Sequence, residues 1–494
     1  MLDTEKVGAE ASTAAAPATA DRKPSRAAWL VLFTVLTASI MDLLDATITN
    51  VAAPSIRNSF SASSSALQWI IAGYTLSFSV MLIAGGRLGD VYGRRRMFLT
   101  GLGGFVAASA LCSASQSAGM LIGTRVVQGA FAAVMIPQGI GLIRAAFPPE
   151  KVASAFGMFG PFMGLSAMLG PVVGGLLVDN AGWRSIFLIN VPVGAVALVG
   201  ALRVLPNDAH HEGRRPTLDL LGMALATAAV LLLVYPMIQG REAGWPVWTF
   251  LMMAGSAPVL GVFALHQRAR RRAARDPFIE PGLFRKRSFV TGLMTIMLFF
   301  GACSGVFLIG TLLLQGQLNF SPTHAGLTMV SWSLGTVVSM AVSQGMAQRM
   351  PRRVLQTGLL VLGAGLALSA LTVHHYAGRH GHGLTSFTFA PALFVSGLGM
   401  GLIFAPFFGI VLAAVEDHEV GSASGLVNSF DQLGAAIGVA ALGTVFFNRV
   451  QTSHGDMFSA AELVYWIAAG VLVVVWVLAF LVPRTARPED ELYG

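Results

Sequence analysis

The sequence predicts an all-α integral membrane protein with 14 transmembrane helices, and three observations lead to that prediction. First, 54% of the 494 residues are hydrophobic and only 11% are charged, whereas about 25% of a soluble globular chain is charged. Second, the apolar residues form runs close to the roughly 20 residues that a helix needs to cross the hydrocarbon core. Third, these runs follow one another almost without interruption, and in lipid only a helix or a closed barrel satisfies its backbone groups.

The predicted spans divide into two halves of six helices with two further helices between them. In chain order the spans are 28–52, 66–88, 97–115, 119–143, 152–178, 184–204, 217–239, 246–267, 289–315, 323–347, 353–373, 386–414, 420–447 and 460–482. The predicted units are a disordered cytoplasmic tail over 1–27, a six-helix bundle over 28–204, a linker with the two extra helices over 205–288, a second bundle over 289–482, and a cytoplasmic tail over 483–494.

The distribution of basic residues predicts how the chain is oriented. If the amino terminus is inside, 25 of the 32 Lys and Arg residues lie in inner segments, five lie in outer loops and two lie within helices. Such a bias towards the cytoplasmic side sets the topology of membrane proteins. We therefore expect both termini in the cytoplasm, and no nucleic-acid partner for the net charge of +8. The basic stretch His266–Arg287 is expected to lie against anionic lipid headgroups.

A weak internal repeat relates the two halves. Each half has a short basic loop after its second span, Gly86–Arg96 in the first and Gly345–Arg353 in the second. Such repeats are typical of transporters that rock two bundles around a site near the midplane.

Few ionisable residues lie deep in the predicted spans. Asp42 and Asp45 are three residues apart on one face of the first helix. At about 1.5 Å per residue, Asp45 lies some 24 Å into a core roughly 30 Å thick, and Arg125 enters about 9 Å from the opposite side. Asp431 lies about 18 Å into its helix, near the midplane. Because a charge at this depth costs at least about 2.5–3.5 kcal/mol, each of these residues is a candidate functional group.

Four motifs, in order along the chain, resemble those of the major facilitator superfamily and, within it, the branch of fourteen-helix drug:proton antiporters. The resemblance covers nearly the whole chain. The motifs are LDATITNVAAP at Leu44–Pro54, GRLGDVYGRR at Gly86–Arg95, RVVQG at Arg125–Gly129, and a fifth-span pattern of Gly157, Ser166, Gly170, Pro171, Gly174 and Gly175. Two positions depart from the family pattern, since Val91 replaces a usual basic residue and Ser166 a usual glycine.

The resemblance implies roles for these residues. Arg125 and Asp45 are expected in proton coupling, because a guanidinium that approaches or leaves a carboxylate changes its affinity for a proton. Asp42 and Asp431 are added as further candidate proton sites; for Asp431 the family pattern gives no support. The alternative for Asp45 and Arg125 is an ion pair that only fixes helix packing.

Two further motifs are expected to govern access to the site. The resemblance implies a conformational latch formed by Gly86, Asp90, Gly93, Arg94 and Arg95. A plain topogenic loop is the alternative reading. In the fifth span, the Gly170–Pro171 segment is expected to pack closely against a helix of the other half, which in the family seals the inner side. Generic packing of small residues is an almost equal account.

A central cavity between the bundles is expected to bind the substrate, with apolar walls and few polar groups. The candidate lining residues are polar or amphipathic residues within spans: Asn50, Tyr74, Gln128, Gln138, Gln315, Trp332, Asn428 and Asp431. For each of them a lipid-facing position is the alternative.

No catalytic or phosphate-binding motif occurs in the sequence, so an enzyme and direct use of ATP are not expected. The histidines at 374, 375, 380 and 382 have no Cys or nearby acid that would complete a zinc site, and no metal is expected. We expect a monomer in the cell membrane, with no cofactor, that uses the proton gradient to export a small lipophilic or cationic organic compound. The alternatives are an importer or metabolite exporter of the same fold and, from another class, a passive channel or receptor.

Overall fold

The computed structural model describes residues 25–148, 151, 155, 158–206, 219–273, 275, 277–377, 383–412, 415 and 420–482. Within these ranges the chain forms fourteen long helices and no strand. They are α1 Arg26–Phe60, α2 Ser64–Tyr92, α3 Arg94–Ser113, α4 Ala118–Ala146, α5 Phe159–Ala181, α6 Ser185–Val204, α7 Leu220–Gln239, α8 Val247–Arg272, α9 Arg287–Leu312, α10 Pro322–Arg349, α11 Pro351–Ala377, α12 Ser386–Leu412, α13 Val420–Thr452 and α14 Met457–Leu478.

The predicted all-helical membrane architecture is confirmed. Thirteen helices of the described part are long and apolar enough to cross a membrane, and α5 adds the shorter apolar run Leu169–Ala181. The boundaries differ in places from the predicted ones. The described part of the fifth helix begins at Phe159 rather than at 152, and α1 continues through Pro54 to Phe60. Of the predicted tails, residues 1–24 and 483–494 lie outside the described part of the chain.

Helices of one bundle approach closely where glycines face each other. In the carboxy-terminal bundle, a Cβ added at Gly301 would lie 3.0 Å from the carbonyl oxygen of Gly434, and one at Gly305 would lie 3.0 Å from that of Gly438. The backbones of α9 and α13 are therefore in contact along two turns. Association of helices in lipid depends on such close packing, because lipid tails are as apolar as the helices themselves.

Helices α1–α6 and α9–α14 form two bundles, which meet along two seams. One seam is between α2 and α13, and the other is between α5 and α10. The inserted helices form a hairpin in which α7 packs against both α2 and α13, while α8 packs mainly against α7. The hairpin thus lies over one of the seams. We call the side of the membrane on which α1 begins the near side and the opposite side the far side.

Candidate functional site

A buried ion pair joins α1 to α4 inside the amino-terminal bundle. Arg125 donates through Nη1 to Oδ2 of Asp45, and each side chain is only 1% exposed. The sequence-based depths of the two residues agree with this contact. Because each charge has lost its water, each depends on the other and on nearby dipoles for its stability.

Neutral polar groups hold the Asp45 carboxylate in place. Oδ1 of Asp45 accepts from Nδ2 of Asn190 at 2.8 Å and from Nε2 of Gln128 at 2.9 Å. Both amides also donate to the hydroxyl of Ser109, at 3.2 and 2.7 Å. Gln128 in turn accepts from Nη1 of Arg125 at 2.7 Å. Side chains of α1, α3, α4 and α6 therefore form one hydrogen-bonded network around the ion pair.

Tyr74 of α2 connects this network to a second carboxylate. Its hydroxyl donates to Oδ1 of Asp42, and the guanidinium of Arg125 lies over its ring, 4.2 Å from the ring centre. A cation over an aromatic face is stabilised by the ring quadrupole. Asp42 is half-buried and lies one turn of α1 below Asp45.

Asp431 approaches Asp42 from the opposite bundle. The side chain on α13 is half-buried, and its carboxylate is close enough to that of Asp42 for the two to interact electrostatically. Carboxylates of different bundles thus interact across the boundary between them, and Asp42 reaches the buried ion pair through Tyr74.

Of the other predicted substrate residues, Gln315 also lies where the bundles meet. Nε2 of Gln315, in the π-helical turn that ends α9, donates to the backbone oxygen of Val51 at 2.8 Å. Asn50 donates to the backbone oxygen of Ala46 at 3.1 Å, while its own amide oxygen is buried without a hydrogen-bond partner in the described part of the chain. Such an acceptor favours a polar ligand or water, because an unmade buried hydrogen bond is costly.

The remaining predicted substrate residues lie elsewhere. Gln128 and Gln138 are buried within the amino-terminal bundle, where Nε2 of Gln138 donates to the backbone oxygen of Gly85 at 2.8 Å. Trp332 is buried in the carboxy-terminal bundle, with its ring centre 4.9 Å from that of Phe307. Asn428 is exposed and donates to the backbone oxygen of Ser424 on its own helix. The structure therefore does not bring Gln128, Gln138 or Trp332 to the interface, since each is enclosed by helices of its own bundle.

The predicted latch residues lie at the near end of α2 and the start of α3. Asp90 and Arg94 are 3.6 Å apart and about half exposed, which makes for a weak ion pair. Arg95 donates to the backbone oxygen of Leu202 on α6 at 2.9 Å. Gly86 faces Pro137 of α4 at ordinary contact distance. These described contacts are all within the amino-terminal bundle, and the latch role stays a prediction.

Gly93 makes the turn between α2 and α3. Its φ of 95° and ψ of 138° lie where a residue with a Cβ is strained. The glycine of this motif thus allows one helix to end and the next to begin within a single residue.

Part of the fifth-span motif packs against the other bundle, as expected, but in the half of the membrane towards the far side. A Cβ at Gly326, one turn into α10, would meet the carbonyl of Pro171, and one at Gly175 would meet Pro322 and Thr323. Gly170 and Gly174 instead face α1, where a Cβ at Gly174 would lie 2.9 Å from Ile48. The hydroxyl of Ser166 donates to the backbone oxygen of Phe162, and Gly157 lies outside the described residues.

Hydrogen bonds between the bundles, among the residues described, lie in the middle or far half of the membrane. Nε2 of Gln68 donates to the backbone oxygens of Val439 and Ala440 at 3.2 and 3.3 Å, and Asp179 accepts from the N–H of Thr323 at 2.8 Å. At mid-depth, Ser79 donates to a backbone oxygen of α13 at 2.7 Å. The far side is therefore closed in this conformation.

The sequence predicts no metal site at the four histidines in and after the last turn of α11, and the structure describes only part of that segment. His380 and His382 lie outside the described residues, and Nδ1 of His374 is 3.1 Å from Oε2 of Glu462. Among the residues that the structure describes, no group of three His, Cys, Asp or Glu side chains is arranged to hold a metal ion.

The sequence comparison agrees with this architecture. The model of the Major Facilitator Superfamily matches residues 35–314 and 293–493. The chain belongs to this superfamily. A solved POT family transporter in complex with 5-aminolevulinic acid has the same fold, with a TM-score of 0.64 over 91% of this chain and 96% of its own, at 14% identity. This major facilitator is therefore a multi-pass membrane transporter and not an enzyme.

Curated relatives from Streptomyces include two resistance proteins and one probable transporter. The probable actinorhodin transporter of Streptomyces coelicolor is 45% identical over 455 residues, which are 90% of this chain and 76% of that protein. The puromycin resistance protein of Streptomyces alboniger is 34% identical, over 95% of this chain and 94% of its own. The tetracenomycin C resistance and export protein of Streptomyces glaucescens is 33% identical, over 88% of this chain and 79% of its own.

Sequence reasoning missed three residues of the site. Asn190 and Ser109 bind Asp45 and its amide partners, and Gln68 joins the bundles at the far side. Each is an isolated polar residue in an apolar span, which is a signal for a buried polar contact. The signal does not identify the partner, because the rotation of each helix is not encoded locally.

Proposed function

We propose that this protein is a proton-coupled antiporter that exports a small lipophilic or cationic organic compound of the antibiotic type across the cell membrane. The proposal places both termini in the cytoplasm, in keeping with the excess of basic residues on that side. The names of the relatives support export of such compounds, since one of them is a resistance and export protein.

The observation that carries the proposal is the pair of carboxylates from opposite bundles. Asp42 on α1 and Asp431 on α13 repel each other when both are ionised. A proton on either carboxylate relieves the repulsion, and so does an organic cation between them. Protons and a cationic compound therefore compete for the same place, which is the basis of exchange.

The buried network gives the exchange a route into the amino-terminal bundle. Tyr74 contacts both Asp42 and Arg125, so a change of charge at Asp42 alters the surroundings of the guanidinium. Arg125 is held by Asp45, and protonation of Asp45 would release that hold. Since α1 and α13 belong to different bundles, rocking of the bundles changes the distance between Asp42 and Asp431 and thus their affinity for protons.

Transport by everted membrane vesicles tests the proposal. Respiration acidifies the vesicle lumen and quenches a pH-sensitive dye. We expect puromycin, whose amine is cationic at neutral pH, to restore dye fluorescence as protons leave in exchange. Asp42→Asn or Asp431→Asn should lower the initial recovery rate at least tenfold, while Glu462→Gln, which removes a far-side carboxylate on α14, should leave it unchanged.

Two outcomes would contradict the proposal. If labelled puromycin or tetracenomycin C enters the vesicles without any proton movement, antiport is excluded. If a compound enters the vesicles only when the gradient is reversed, and protons move with it, the protein is an importer of the same fold.

A further inference from the structure

A basic cavity lies on the near side, where α8 ends. Three arginines in the last turns of α8, Arg268, Arg271 and Arg272, line it together with Pro281 and Arg285 of the linker that leads to α9. Its volume is about 610 Å³, and it is partly open to the surroundings. Two separate segments of the inserted region thus bring four guanidinium groups to one cavity.

The charges of the described residues around this cavity are not balanced. Arg271 pairs with Glu280 at 2.9 Å. Arg268, Arg272 and Arg285 have no carboxylate within 4.0 Å in the described part of the chain. Among the described residues, four guanidinium groups and one carboxylate leave three positive charges around the cavity, and these repel one another unless an anion lies between them.

The position of α8 sets the cavity at the level of the lipid headgroups. Because α8 packs mainly against α7, its apolar side chains remain exposed, among them Leu260, Val262 and Leu265 at 49, 52 and 64%. Arg268 follows Leu265 by three residues, a rise of about 4.5 Å. A single lipid molecule can therefore place its acyl chains beside α8 and its headgroup at the end of that helix.

We propose that this cavity binds the phosphate of an anionic phospholipid whose acyl chains lie along α8. Guanidinium groups suit this ligand, because they donate two parallel hydrogen bonds to phosphate oxygens and desolvate more readily than an ammonium. The near leaflet is a source of such lipids if it is the cytoplasmic one.

The bound lipid would also act on the amino-terminal bundle. The linker between Arg272 and Arg285 includes Pro277, whose backbone oxygen accepts from Arg87 near the end of α2. Asp90, in the predicted latch, lies three residues further on. An occupied cavity would hold Pro277 beside the latch residues.

Binding of a fluorescent phosphatidylglycerol to the purified full-length protein tests the proposal, with phosphatidylcholine as the neutral competitor. We expect phosphatidylglycerol to bind at least tenfold more tightly than phosphatidylcholine. The triple variant Arg268→Gln/Arg272→Gln/Arg285→Gln should lose this preference. The matched control changes three arginines of the other near-side basic loop, Arg349, Arg352 and Arg353, to Gln and should keep it.

The proposal is wrong if the triple variant keeps the preference, or if the control variant loses it to the same extent, which would indicate general charge attraction. It is also wrong if inorganic phosphate at millimolar concentration binds equally well and displaces the lipid, since the ligand would then be a soluble anion. Thermal unfolding of both variants shows whether they are folded, and binding is compared only at a temperature at which both are.

A second feature, on the opposite side of the membrane, is the loop between α7 and α8. Oε1 of Glu242 accepts from the backbone N–H of Ser65 at 2.8 Å, and its Oε2 accepts from the Ser65 hydroxyl at 2.5 Å. Ser65 lies in the first turn of α2, where unpaired N–H groups and the helix dipole favour an anion. Glu242 thus fastens the loop to the amino-terminal bundle.

The neighbouring residue fastens the same loop to the other bundle. Nη1 of Arg241 donates to Oε1 of Gln451 at 3.3 Å, and its guanidinium is 5.7 Å from the ring centre of Phe447. Both partners belong to α13. Arg241 also lies 3.6 Å from Glu242, so one ion pair connects the two attachments.

We infer that Arg241 and Glu242 form a strap that stabilises the conformation closed at the far side. The inference rests on the proposed alternating access, in which α2 and α13 must separate at this side. Burial alone would raise the pKa of Glu242, but hydrogen bonds from Ser65 and the charge of Arg241 outweigh it and lower that pKa. The carboxylate is therefore ionised at neutral pH, and the strap is intact.

Distances between spin labels test the strap without any transport. Asn58→Cys at the far end of α1 and Thr452→Cys at the end of α13 are exposed positions on different bundles, and native Cys112 and Cys303 are buried. We expect Glu242→Ala to shift the distance distribution towards longer separations, with at least a threefold larger open population. Glu462→Gln, a far-side carboxylate with a partner inside its own bundle, should not.

An unchanged distribution in Glu242→Ala would overturn the strap. Because this measurement uses protein without substrate or gradient, it separates the strap from proton coupling. If the vesicle assay fails and the labels still move apart, the exporter proposal is wrong and the strap stands.

Discussion

The Asp45–Arg125 ion pair offers a thermodynamic test of whether a buried charge pair serves packing or transport. Both side chains are 1% exposed. Removing one partner leaves the other charge buried and unpaired, at a cost of about 3–5 kcal/mol. With a shift of about 2–4 °C per kcal/mol for a bundle of this size, the apparent melting temperature should fall by on the order of 6–20 °C.

The perturbations are Asp45→Asn, Arg125→Gln and the double variant. Each single change should destabilise the protein by the amount above. The double variant removes both charges, and the amide at position 45 keeps Gln128 and Asn190 as neighbours. It should recover to within about 1–2 kcal/mol of the wild type, because replacing a whole buried pair is often nearly neutral.

A thiol-reactive dye measures the unfolding. Cys112 lies in the amino-terminal bundle and Cys303 in the other, and both are buried, so the dye reacts as either bundle opens. The coupling energy between the two positions is the change in unfolding free energy of the double variant minus the sum of the changes in the two single variants.

The same double variant separates the two readings of the pair. If it is stable and has lost proton-driven dye recovery, the pair takes part in coupling. If it is stable and keeps full recovery, the pair is structural only. Additive destabilisation, with no recovery of stability in the double variant, would refute the argument that the two charges depend on each other.

Three further results are expected. Gly93→Ala should lower stability by about 1 kcal/mol or more, since φ is 95° there, and the same dye assay measures it. Gly301→Leu should prevent α9 from packing on Gly434 of α13, and size-exclusion chromatography should show loss of folded protein, whereas Gly255→Leu, where α8 has open space, should not. Burial alone would raise the pKa of Asp219 at the start of α7, but hydrogen bonds from His266, the Gly222 N–H and Gln267 and the charge of Arg270 lower it. The contribution of Asp219 to the free energy of unfolding is therefore complete above a pH of about 4, the pKa in the unfolded state, and is lost as the pH falls through the lower pKa of the folded state. Amide hydrogen exchange of α7 should accelerate only in that acid range.

Much of the architecture is encoded locally. Each apolar run is long enough to span the membrane, and the backbone must satisfy its hydrogen bonds within the run, so a helix is the outcome wherever such a run occurs. The depths of Asp45 and Arg125 in the membrane follow from counting residues at a fixed rise per residue. Because the two depths match, the sequence is consistent with the ion pair that the structure contains.

Rotation of the helices is not encoded in this way. Gln138 and Asn50 are both polar residues within spans, yet Gln138 is enclosed between α2 and α4, while the amide oxygen of Asn50 has no hydrogen-bond partner among the described residues. One residue of helix corresponds to about 100° of rotation, so a sequence alone leaves the direction of each side chain open.

The sequence by itself determined that this chain is a membrane protein of fourteen helices, because burial of apolar runs in lipid depends on composition and length alone. It also determined which few charges lie deep, because each stands out against its apolar span. Only the tertiary structure decided which of these charges meet. The network of Asp45 with Asn190, and the approach of Asp431 to Asp42, join helices that are far apart in the chain, and such contacts depend on the packing of whole bundles rather than on any local pattern.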